Sequence, residues 1–186
     1  MIVVQDRETP MFETMFTLAC VYNESAQLIF ENKENNISFI FPAAMNFAFS
    51  IELFLKFFLI LDYPEIRSKE DLVSSNIYGI KGHGLSALWD SVNDNYKNEI
   101  VSKYQEIHHE AMSVSKFREF LALELYDNPF VKWRYVYEDE EGISYLNLDL
   151  VKKVNDALGY SAQKLLIKLQ VATILKDGGV DESQTT

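Results

Sequence analysis

The apolar positions Met15, Ala19, Tyr22, Ala26 and Ile29 step by four and three along the chain. That is the spacing of one face of an α-helix, and with the polar stretch ENKENN behind it the pattern predicts a helix over about residues 9 to 32. The run FPAAMNFAFSIELFLKFFLIL, residues 41 to 61, is apolar nearly all round and predicts a helix in the middle of a bundle. Residues 63 to 82, from Tyr63-Pro64 to GIKGHG, predict the longest irregular segment. Leu85, Leu88, Trp89 and Val92 then mark a short helix, and Ile100, Tyr104 and Ile107 a second one. Phe117, Phe120, Leu121 and Leu125 predict a further helix, which Asn128-Pro129 stops. Leu158, Ala162, Leu165, Leu169 and Ala172 carry the last helix, from about 147 to 176, with Gly159 near its middle.

One stretch breaks the helical period. In FVKWRYVYEDEEGISYL the residues Val131, Trp133, Tyr135 and Tyr137 alternate with Lys132, Arg134, Val136 and Glu138, and all are good strand formers or polar partners. DEEG closes a small hairpin back onto Ile143 to Leu146 in this reading, and two strands alone must pack on helices to be stable. The predicted fold class is therefore all-α: an antiparallel helical bundle of four to six helices with a minor extended segment or hairpin near residues 130–146. No break in composition divides it, so residues 1–176 read as one domain and residues 177–186, DGGVDESQTT from Asp177, as a flexible tail.

Glu52 and Lys56 stand inside the most apolar run, which is also long enough to cross a bilayer. Its twelve Phe, Leu and Ile residues favour insertion by about 4 to 7 kcal/mol, while Lys56 and Glu52 near the centre oppose it by about 5 to 7. Neither flank carries the Lys/Arg excess that would orient a lone span, so a helix packed inside a bundle is the expectation and no membrane is expected as a partner. At 100° per residue Asn46, Ser50, Glu52 and Lys56 share an arc of roughly 160°. Glu52 and Lys56 form an i, i+4 pair in the favourable order. These groups either meet solvent through a gap or meet a buried polar partner elsewhere in the chain, because two desolvated charges rarely recover their hydration from each other alone.

Composition narrows the classes further. Of 186 residues 48% are apolar, 24% charged and 13% aromatic, which suits a folded domain with a sizeable core. Seven glycines and four prolines leave few tight hairpins and disfavour a many-stranded sandwich. The formal charge of -11 repels polyanions at long range, so nucleic acid would need a local basic patch. Cys20 is the single cysteine, which excludes an internal disulfide and a cysteine-based zinc site. MIVVQDRETP has no basic start followed by an apolar stretch, so no secretory signal is read and a cytoplasmic location is expected.

Chemistry-bearing patterns are sparse. The acidic run Glu138 to Glu141 reads as a solvated turn rather than a cation site. Glu106-x-x-His109 has the spacing of half a di-iron site, but His83 has Ile80 three residues before it and the other half is missing. No metal site and no cofactor are therefore expected, and His108 and His109 read as helix-surface residues. No phosphate loop, zinc pattern or nucleophile elbow is present in the sequence. His83, between two glycines in GHG, can turn inward or cap backbone amides. Arg134, beside Trp133 and Tyr135, can hold a phosphate while the rings stack a base, or can be the buried partner of Glu52.

Taken in order, AAMNFAFSIELFLKFFL, GHGLSALW and FVKWRYVYE resemble a branch of the HEPN superfamily, the helical domains first described in higher eukaryotes and prokaryotes as nucleotide-binding. The likeness spans roughly residues 40 to 140 and rests on Asn46, Glu52, Lys56, Gly82, His83, Leu85, Leu88, Arg134, Tyr135 and Glu138. The resemblance implies an antiparallel bundle of four or five helices and a homodimer. It also implies roles in RNA cleavage, toxin-antitoxin and phage-defence systems, or nucleotide binding. The ribonuclease members carry an Arg separated from a following His by four to six residues, and no Arg here stands at that distance before any His. The nearest imitation is Lys103-x4-His108, and lysine lacks the planar fork that grips phosphate; His83 has Asn76, Ile77 and Tyr78 at the relevant positions.

The reading places Asn46, Glu52, Lys56, His83, Arg134, Tyr135 and Glu138 in one polar centre. The expected function is a non-catalytic module that binds RNA, a nucleotide or a partner protein, in a prokaryotic defence, toxin-antitoxin or stress system. The second reading is a metal-independent endoribonuclease with His83 or His108 as base and Arg134 or Lys103 on the phosphate. The third is a purely structural or interaction protein whose buried polar network fixes helix register.

Overall fold

The computed structural model describes residues 9–32, 39–63, 65–75, 77, 80–124 and 147–177, and all regular structure among them is helical. Four long helices, α1 (Met11–Glu31), α2 (Ile40–Ile60), α5 (Asp94–His108) and α7 (Leu148–Asp177), make the bundle. Three short ones, α3 (Lys69–Ser74), α4 (Leu85–Ser91) and α6 (Val114–Glu119), lie in the connections, and α6 runs on into a π-helical turn at Phe120–Glu124. The all-α expectation holds. Of the long helices, α1, α2 and α7 begin and end within two residues of the bounds expected from the sequence, while α5 is marked there only by its apolar positions; the hairpin expected at 130–146 and the tail from 178 onward lie outside the described residues.

Local chemistry sets the ends. Pro10 precedes α1 and Pro42 sits in the first turn of α2, where the missing amide proton costs no intrahelical bond. Asn93 caps α5 by accepting from the Asn95 amide at 3.0 Å. His109 ends it in the left-handed region at φ 54, a position more often taken by glycine or asparagine. The segment 63 to 82, read as irregular, contains α3. Ser68 and Asp71 form a reciprocal capping box there, with Asp71 Oδ2 accepting from the Ser68 amide at 2.9 Å and Ser68 Oγ from the Asp71 amide at 3.1 Å. The S-x-x-D signal was present in the sequence, but its helix is too short to show an apolar period.

Ring contacts give the topology. Phe12 meets Phe57 at 6.4 Å, Phe16 meets Phe54 at 6.1 Å and Tyr22 meets Phe49 at 5.1 Å, so partner numbers fall along α2 as they rise along α1. These two helices are antiparallel. Ser50 bonds Asn155 and the Phe54 ring lies against Gly159, so α2 and α7 run in parallel. Glu99 pairs with Lys164 and His108 with the Lys153 carbonyl, so α5 and α7 are antiparallel. Hence α1 and α5 point one way and α2 and α7 the other, with α3 and α4 bridging from α2 to α5.

The core is built on α2. Phe47, Ile51, Phe54, Leu55, Phe57 and Phe58 are fully enclosed, and each large side chain removed from water contributes about 1.5 to 3 kcal/mol. Leu85, Leu88 and Trp89 bring α4 onto it, and Trp89 in turn stacks on Phe117 of α6 at 4.4 Å. With a mean hydropathy of 1.7, α2 has the length and composition of a membrane span, and 78% of that apolar window is covered by the rest of the chain. Gly159 interrupts α7 for a packing reason: a Cβ there would come within 3.3 Å of the Phe54 ring.

Candidate functional site

The middle of α2 supplies Glu52 and, one turn later, Lys56. His83 arrives from the loop before α4, which is pinned at both ends because Ile80 and Leu85 are buried. Glu52 Oε1 lies 2.7 Å from Lys56 Nζ and 2.9 Å from His83 Nδ1. A single carboxylate oxygen thus accepts from an ammonium and from an imidazole N–H, which assigns the Nδ1 hydrogen and leaves Nε2 as the second hydrogen-bonding atom of the ring. The side chains of Glu52 and Lys56 are 10% and 12% exposed, while that of His83 is 62% exposed. Buried charge is therefore internally neutralised, and what it holds at the surface is the imidazole.

The polar arc read on α2 divides. Glu52 and Lys56 serve the α4 loop. Ser50, fully buried at the far edge of that arc, faces α1 and α7 instead. Its hydroxyl lies 2.8 Å from the Ala19 carbonyl and 3.0 Å from Asn155 Oδ1, with one proton to serve one of them at a time. Asn155 Nδ2 donates to Asn23 Oδ1 at 3.1 Å, which ties three helices together through a buried amide that the sequence reading did not single out. Asn46 belongs to neither group; it donates to the Pro42 carbonyl of its own helix at 2.7 Å. Arg134, Tyr135 and Glu138 lie outside the described residues, so the structure brings together Glu52, Lys56 and His83 from the expected polar centre.

Lys103 and His108 are not a pair. Five residues turn a helix through about 140°, so their side chains leave different faces. Lys103 Nζ binds Glu106 at 2.5 Å, and His108 Nε2 donates to the Lys153 carbonyl at 3.1 Å with its ring 5.0 Å from Tyr104. His108 is instead part of a clamp between α5 and α7. Lys153 reaches Glu110 at 2.6 Å and Asp149 at 2.8 Å, and the Tyr104 hydroxyl donates to Glu110 at 3.0 Å. Burial, and after it the bond to Glu110, push the Tyr104 phenol up to about 12. Bonds from Lys153 hold the Glu110 and Asp149 carboxyls below their ordinary range, and Lys153 is raised in return, chiefly by Asp149 and then by Glu110. Within this clamp Asp149 to Lys153 and Tyr104 to His108 have a sequence signal, their i, i+4 spacing, whereas the contacts between the helices have none.

Among the described residues no three metal-ligating side chains converge. Clefts open elsewhere: one of about 570 Å³ beside Tyr63, Ile66 and Ser75, and one of about 270 Å³ between α1 and α7. Compared with models of protein families, with characterised proteins and with solved structures, the chain matches none.

Proposed function

We propose that this bundle is a non-catalytic binding module that takes RNA or a nucleotide at the loop carrying His83, in line with the HEPN resemblance. The observation that carries the reading is the exposed imidazole fixed through Nδ1 by a buried carboxylate, which presents Nε2 to a ligand at little further entropic cost. Lys81, two residues earlier, is exposed and has no ion-pair partner among the described residues, so the loop offers an ammonium as well as the imidazole. This is the kind of local basic patch an acidic chain needs for a phosphate. Lys56 does not serve that purpose, because Glu52 already neutralises it. The same resemblance supports a homodimer and a place in a defence, toxin-antitoxin or stress system.

The second reading is the divergent ribonuclease. It is favoured by the Glu52–His83 contact, since a carboxylate that orients an imidazole is the usual support of a general base. Labelled single-stranded RNA incubated with the purified protein separates the two. Saturable binding without shortening of the RNA, weakened about fivefold or more in Lys81→Ala and His83→Ala, is the expected result. Cleavage lost in His83→Ala with folding intact would replace the module by the enzyme. Absence of both binding and cleavage would leave the structural role of the Glu52 network.

A further inference from the structure

The cleft between α1 and α7 lies across α2 from Glu52, since Phe54, which lines it, is two residues or about 200° further round the helix. Half-buried Phe16 makes its floor, backed edge to face at 6.1 Å by the enclosed Phe54 ring, which Gly159 lets α7 approach closely. At about 270 Å³ it falls below the roughly 300 to 1,000 Å³ of drug-sized pockets and suits a molecule of one or two rings.

Two carboxamides on one wall specify more. Asn23 Oδ1 accepts from Gln27 Nε2 at 3.2 Å and from Asn155 Nδ2 at 3.1 Å. Asn23 Nδ2 and Gln27 Oε1 remain without a partner among the described residues, so the two amides of the lining keep one donor and one acceptor for a ligand. Turning these amides over together exchanges the two atoms but still leaves one of each, so the complementarity does not depend on how they are oriented. A group with an adjacent carbonyl and N–H matches that edge. Charge excludes anions: no Lys or Arg lines the cleft, Asp156 on its rim is bonded to Lys152 at 2.7 Å, and Glu24 adds to the burial that pushes the Cys20 thiol up to about 11.

We propose that this cleft binds an uncharged, flat aromatic carboxamide or lactam, with its ring on Phe16 and its amide edge paired to Asn23 and Gln27. The site is separate from the His83 loop and does not depend on what that loop binds. Exposed Tyr160 at the mouth adds a ring against the ligand.

Benzamide is the probe and benzoate, nearly the same shape but anionic, its control, both titrated against the full chain by calorimetry or amide chemical shifts. Benzamide is expected to saturate and to bind about tenfold or more tightly than benzoate. Gln27→Leu is expected to weaken benzamide about fivefold or more, and Tyr160→Ala, a surface change that does not threaten the fold, to weaken it as well. Saturating benzamide should also slow alkylation of Cys20 by iodoacetamide, which places the ligand in the cleft. The proposal is overturned if benzamide does not saturate, if benzoate binds equally well, or if neither Gln27→Leu nor Tyr160→Ala changes the affinity.

Discussion

Glu52 shows what a single ionised residue does inside an apolar helix. Its carboxylate is nearly enclosed, and its partners Lys56 and His83 differ in what they risk: Lys56 is almost as buried, whereas His83 is mostly in water. Removing the acid strands a buried ammonium, so Glu52→Ala is expected to destabilise the fold by about 3 kcal/mol or more. His83→Ala removes an exposed partner and is expected to cost less than about 1 kcal/mol. Urea titrations of both variants check the contrast, and equal losses would mean that the imidazole is structural rather than presented. The sequence showed that Glu52 and Lys56 sit one turn apart on one face. It could not show that Ser50 and Asn46, on the same arc, answer to other partners, because an arc of about 160° borders several neighbours at once.

At the scale of elements, the α5–α7 clamp does for the ends of the helices what the apolar core does for their middles. Tyr104 ordinarily loses its proton near 10 and holds it to about 12 in the fold, so its contribution is complete below pH 10 and disappears as pH rises toward 12. Raised Lys153 acts in the same direction. Lowered Glu110 and Asp149 act in the opposite one: their contribution is present above the ordinary carboxyl range and is lost as acid brings pH down through their folded values. Tyr104→Phe is therefore expected to lower stability at pH 8 and to flatten its decline between pH 10 and 12, measured as the urea midpoint against pH. Periodicity located these helices because each carries an apolar stripe. It gave no sign of the clamp, since Glu110 stands beyond the helix end and meets Lys153 across 43 residues.

Over the whole molecule, α7 is longer than the helices it packs against, and Ile167, Leu169 and Val171 are exposed near its far end while Ala157, Leu158 and Ala162 are fully buried. The helix thus runs past the core rather than through it. Truncation after Val171 is expected to change Tm by less than the 2 to 4 °C that corresponds to about 1 kcal/mol in a chain of this size, as calorimetry would measure; a larger fall would show that this end is covered. What the sequence determined by itself was the all-α class, the bounds of α1, α2 and α7 and the central place of α2, because helix periods and apolar density are local properties of consecutive residues. Only the tertiary structure decided that α2 and α7 run in parallel, that Asn155 ties them to α1, and that His83, expected beside Glu52, is bonded to it through Nδ1 and left exposed. Those contacts join residues 31 to 132 positions apart, and no local pattern specifies which distant side chain fills a given gap.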